Sequence, residues 1–69
     1  MRIELKALRV NAHLNQREAA ERAGVTRETI QNWENYRTFP NASQLIKLAG
    51  IYKCTIDDIF IPDKLAKSE

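Results

Sequence analysis

Few side chains here are spaced for catalysis. Cys54 and His13 are the single cysteine and the single histidine, too few for an intramolecular disulfide or a zinc site built from protein ligands. Asp57 and Asp58 are adjacent, and adjacent helical side chains diverge by about 100°, so they do not converge as an acid–base pair. They read better as first-turn residues favoured by a helix dipole. There is no glycine-rich phosphate loop and no Ser-His-Asp or Cys-His arrangement at workable spacing. Enzymatic function, a metal, a cofactor and a small-molecule ligand are therefore not expected. A different chemistry lies between Gln16 and Asn35, in QREAAERAGVTRETIQNWEN. Arginine can grip guanine through O6 and N7, glutamate can accept from cytosine N4, and asparagine suits adenine. Arg27, Glu28 and Asn32 supply those three types within one short segment. Backbone N–H groups and capping residues at helix starts suit phosphate.

The elements that must position these groups are two short amphipathic segments meeting at Gly24. Ala20 and Gly24 are small where two helices approach, and Val25, Ile30 and Trp33 are apolar where the second helix faces a core. That is a helix-turn-helix layout, whose second helix can be offered to a major groove. Asn15 with Glu18 forms a capping-box pattern opening the first of the two, and Gly24 supplies the tight turn after Ala23. Thr26 caps the second, which runs to Glu34 or Asn35.

Three flanking helices complete an all-α reading with no strands. One runs from Arg2 to about Ala12, with Leu5 and Leu8 on one face. His13 then stands where a helix commonly ends in a left-handed residue. After a loop from Tyr36 to Pro40, Asn41 and Gln44 repeat the capping box and open a fourth helix. Its apolar face is Leu45, Leu48, Ala49 and Tyr52, and Gly50 inside it costs about 1 kcal/mol relative to alanine. Thr55 with Asp58 marks a short fifth helix using Ile56, Ile59 and Phe60, stopped by Pro62. Residues 63–69 form a charged, frayed tail beyond a domain of residues 1–62.

Sixty-nine residues make one small domain, and 43% apolar content suffices for a globular core of modest stability. No apolar run approaches the roughly 20 residues of a membrane span, and no signal-peptide pattern appears. A reducing cytoplasm fits. Eleven basic and nine acidic residues leave only +2. The excess sits at Arg2, Lys6 and Arg9, while from Gln16 to Thr38 four arginines face four glutamates. A strong nonspecific DNA binder would show a basic stripe.

Taken together, LKALR (5–9), the segment from Leu14 to Asn35, Pro40-Asn41 and LIKLAGIYKCTIDDIF (45–60) resemble the Cro/C1-type (XRE-like) helix-turn-helix domain. That is the compact five-helix, lambda-repressor-like module of phage repressors and small bacterial regulators. The resemblance covers roughly Ile3 to Pro62. It implies Arg27, Glu28 and Asn32 as base contacts, and Asn15, Gln16, Asn35, Arg37 and Thr38 as phosphate contacts. It also implies a partly buried ion pair between Arg9 and Glu34 that fixes the recognition helix to the scaffold. Two departures stand out. Tyr36 occupies a place the family commonly gives to glycine, so it either strains the loop or redirects it. The segment from Thr26 to Asn35 carries a net charge of −1, which lowers affinity per monomer and favours two copies or a partner. Cys54 stands where the family has a small apolar residue, and reads as a packed thiol.

The function implied is a sequence-specific DNA-binding transcriptional regulator, a repressor of phage or bacterial type. The alternative is an antirepressor or modulator that uses the same fold to bind a partner repressor protein. The expected partners are double-stranded DNA and a second copy of the chain, joined in solution or only on DNA. Ile59, Phe60 and Ile61 are the candidate self-contacts.

Overall fold

Three of the four helices open on a side chain that caps their first turn, and all four close on a left-handed residue. The computed structural model describes residues 2–62. Helix α1 spans Leu5–Asn11, α2 Gln16–Ala23, α3 Arg27–Glu34 and α4 Ala42–Ile51. Asn15 caps α2 and Asn41 caps α4 through full capping boxes, with Glu18 and Gln44 answering. Thr26 caps α3, its hydroxyl accepting from the Thr29 N–H at 3.1 Å.

The helix ends share one chemistry. His13, Gly24, Tyr36 and Lys53 have φ of 63°, 72°, 59° and 58°. Just beyond each, an N–H reaches back five residues to a carbonyl: Leu14 to Arg9, Val25 to Ala20, Arg37 to Asn32 and Cys54 to Ala49. These bonds satisfy carbonyls that a helix end leaves free.

The expected fifth helix is instead one 3-10 turn, Ile56–Asp58. The Asp58 carboxylate accepts from the Thr55 N–H at 3.1 Å and the Thr55 hydroxyl at 3.0 Å. The chain then straightens, because the backbone around Ile59 is claimed by Ile3. The Ile3 N–H donates to the Asp58 carbonyl at 2.7 Å, and the Phe60 N–H donates to the Ile3 carbonyl at 2.9 Å. This isolated parallel bridge also explains why α1 begins at Leu5 and not at Arg2. Among the described residues there is no strand. The charged tail expected over 63–69 lies outside the described residues.

The core lies where the four helices meet: Leu5 and Leu8 from α1, Ala19, Ala20 and Ala23 from α2, Ile30 and Trp33 from α3, Leu48 and Ala49 from α4, with Leu14, Tyr52 and Ile59. The three alanines let α2 and α3 pack closely, which sets their mutual angle and the aim of α3. Of the apolar residues expected to bury the last element, Ile59 is fully buried while Ile56 and Phe60 are exposed. An extended segment turns alternate residues to opposite sides, so Ile59 points in and Phe60 out.

Candidate nucleic-acid interface

Arg27 and Glu28 occupy the first turn of α3, both exposed. Asn32 follows one turn later, half-buried, with Arg37 Nη1 at the long distance of 3.5 Å from its Oδ1. The far side of α3 carries Ile30 and Trp33 into the core. One face of the helix is thereby anchored and the other left to solvent.

Beside this face the start of α2 opens a cleft lined by Arg9, Asn15, Gln16, Arg17 and Arg27. Arg17 stands in the first turn of α2 and Arg27 in the first turn of α3. Helix N-termini carry partial positive charge; Glu18 and Glu28 in the same first turns offset it in part, and the free N–H groups at the start of α2 with the two arginines suit an anion. Asn15 and Gln16, expected as phosphate contacts, both line the cleft, but much of their polar capacity is already used. The Asn15 side-chain oxygen accepts from the Glu18 N–H at 2.8 Å, which leaves its N–H2 for an anion. Gln16 Nε2 donates to Glu34 Oε1 at 3.1 Å, and Gln31 Nε2 donates to Gln16 Oε1 at 3.3 Å.

Arg9 and Glu34 are joined by two bonds, Nε to Oε2 at 2.6 Å and Nη2 to Oε1 at 3.2 Å. Arg9 Nη1 also donates to the Leu14 carbonyl at 2.9 Å. The two side chains are 9% and 5% exposed, so the pair is largely shielded from solvent. Its hydrogen bond and charge partner in Glu34 raise the Arg9 pKa further, against the opposing pull of burial. The network ties the end of α1, the start of α2 and the end of α3 to one carboxylate.

Asn35, Arg37 and Thr38 sit at the other end of α3, all exposed. Their backbone N–H groups are committed inward, Asn35 to the Gln31 carbonyl and both Arg37 and Thr38 to the Asn32 carbonyl. Any contact they make with phosphate must come from side chains. Between them Tyr36 is left-handed, and its ring stacks on Phe39 at 6.3 Å and meets Phe60 edge-on at 6.1 Å. The ring is thus held within the protein, tying the loop after α3 to the segment after the 3-10 turn. Its hydroxyl is buried and finds no acceptor for its proton. Burial foremost, then the charges of Glu4 and Glu34, raises its pKa, against a weaker opposing effect of the Leu5 N–H. Burial, reinforced by Asp58, likewise holds the Cys54 thiol above its usual value, which disfavours the reactive thiolate.

Sequence reasoning missed Gln31 and Arg17. Gln31 lies three residues before Glu34, a spacing that puts both on one side of a helix. Arg17 carried its own signal, a cation placed in a helix's first turn.

Two helices joined by a left-handed glycine, the second anchored by one face and open on the other, define a helix-turn-helix protein. The chain belongs to that family: the helix-turn-helix family model matches residues 5–59. With the family comes the class of work, DNA-binding regulation of transcription. The chain is 38% identical over 64 residues to an uncharacterized HTH-type transcriptional regulator of Archaeoglobus fulgidus, covering 93% of this chain and 90% of that one. A second such regulator from the same organism is 33% identical over 63 residues, covering 91% and 90%. The HTH-type transcriptional activator BcrR of Enterococcus faecalis is 31% identical over 62 residues, 90% of this chain but only 30% of that longer protein. No solved structure matches the chain.

Proposed function

We propose that the protein regulates transcription by laying α3 in the major groove of a specific operator. Arg27, Glu28 and Asn32 read base edges. Arg17, Asn15 and the start of α2 hold one phosphate, and Asn35, Arg37 and Thr38 hold the backbone beyond the far end of α3. The observation that carries this reading is the cleft in which the α2 N-terminus meets two first-turn arginines, Arg17 and Arg27. The two guanidiniums and the free N–H groups at the start of α2 converge on one anion site, beside the Glu18 and Glu28 carboxylates of the same first turns. Repression is the proposed outcome, since a domain seated in a promoter groove excludes other proteins. A promoter–reporter fusion whose output rises on deletion of the gene supports repression, and one whose output falls assigns activation.

Selection of bound sites from a random duplex library tests the reading directly. Arg27→Ala should lose about 1–3 kcal/mol and relax preference at one base pair. Arg37→Ala should weaken all sequences alike and flatten the salt dependence. A wild-type protein with no affinity for duplex DNA at low salt would instead favour a modulator that binds a partner repressor. The exposed apolar surface at Ile56 and Phe60 is the feature such a partner would use.

A further inference from the structure

Glu34 fixes more than Arg9. A carboxylate can only accept hydrogen bonds, and Glu34 accepts from Arg9 Nε at 2.6 Å, from Arg9 Nη2 at 3.2 Å and from Gln16 Nε2 at 3.1 Å. The Gln16 carboxamide therefore has one admissible orientation, nitrogen toward Glu34. Its oxygen is then left on a residue that lines the arginine cleft. A bare carbonyl oxygen there would set its lone pairs against an incoming anion. Gln31 Nε2 donates to that oxygen at 3.3 Å, while Gln31 itself lies one turn past Arg27 and half-buried.

We propose that Gln31 is a positioning residue for DNA binding: it occupies the Gln16 acceptor so that Gln16 offers an anionic phosphate only N–H donors. The proposal rests on the DNA-binding reading above. Gln31 acts through Gln16 and reads no base. Two consequences separate this role from direct contact and from general stability. Loss of Gln31 should weaken every duplex by the same factor, because phosphate contacts carry no sequence information. The same loss should have no effect once Gln16 is gone, because the two residues form one unit.

The test is a cycle of wild type, Gln31→Met, Gln16→Ala and the double variant, each titrated with random duplex and with a library-selected operator. Thermal unfolding of each is followed alongside. Gln31→Met keeps the side chain's length and removes its donor. The expected result is a loss of roughly 3–10-fold on both duplexes, the scale of one hydrogen bond. The selected sequence and unfolding midpoint should stay as in wild type, with no further loss when Gln31→Met is added to Gln16→Ala. Gln31→Leu, apolar, uncharged and close in size, should lose as much, and carries the same readout if the methionine variant unfolds early. Unchanged affinity in both variants, loss of preference at a single base pair, or full additivity with Gln16→Ala would each overturn the proposal while leaving the DNA reading intact. A wild type that binds no duplex would overturn both.

Discussion

Glu34 collects three donors on one nearly buried carboxylate, and that crowding sets the consequence of breaking it. Removing one partner of a buried pair strands the other, at a cost of about 3–5 kcal/mol. Arg9→Ala should therefore lower the melting temperature by roughly 10 °C or more in a domain of this size, and an unchanged melting curve would refute the structural role. Tyr36 predicts a gain. Its ring is engaged by Phe39 and Phe60, yet its buried hydroxyl finds no acceptor for its proton. Tyr36→Phe keeps the ring contacts and should stabilise by about 1 kcal/mol, read by thermal or denaturant unfolding. Tyr52 adds a pH dependence. Burial chiefly, then Glu34, pushes its pKa from 10.0 up to about 12, with Arg9 opposing. A folded value above the unfolded one gives stability that is complete below about pH 10 and lost as pH rises through about 12. The loss should be on the order of 2–3 kcal/mol, and denaturant midpoints across that range, followed with tyrosinate absorbance, check it.

At the scale of elements, α4 holds a mismatch between residue type and backbone. Gly50 lies inside the helix with nothing within 4 Å of the Cβ it lacks, while Lys53 takes the left-handed position at the helix end with φ 58°. Gly50→Ala and Lys53→Gly should each stabilise by about 0.5–1 kcal/mol, since one adds helix propensity and the other relieves a strained φ. Denaturant unfolding of the single and double variants checks both. The same region shows what was legible in the sequence. The three side-chain caps and the left-handed ends at His13 and Gly24 could be read from residue type at fixed offsets, because caps are local. The fifth helix could not, because the pairing of Ile3 with Ile59 joins opposite ends of the described chain and no local pattern announces it. The same bridge removed Arg2 and Ile3 from the first helix. In the candidate interface, the convergence of Arg17 and Arg27 on one cleft and the link from Gln31 to Gln16 depend on how α2 and α3 pack, so spacing alone did not disclose them.

The whole molecule sets a limit on what one copy can do. Helix α3 has eight residues and is about 12 Å long, enough to face about four base pairs at roughly 3.4 Å each. So few positions give little specificity, and the net charge of +2 supplies little nonspecific affinity. Paired half-sites about one helical turn apart overcome both limits. Ile59 is fully buried and so unavailable as a self-contact, whereas Phe60 is 36% exposed and Ile61 half-buried. That leaves Phe60 and Ile61 as the surface on which a second copy would pack. Sedimentation on an operator-length duplex should show two copies per duplex. Phe60→Ser should separate their binding into two independent, weaker steps. Arg17 and Arg37 are the cations assigned above to phosphate. The logarithmic salt slope should therefore be about −2 per copy. One copy per selected operator at saturation would refute the paired arrangement, and the specificity would then have to come from DNA shape along a single half-site.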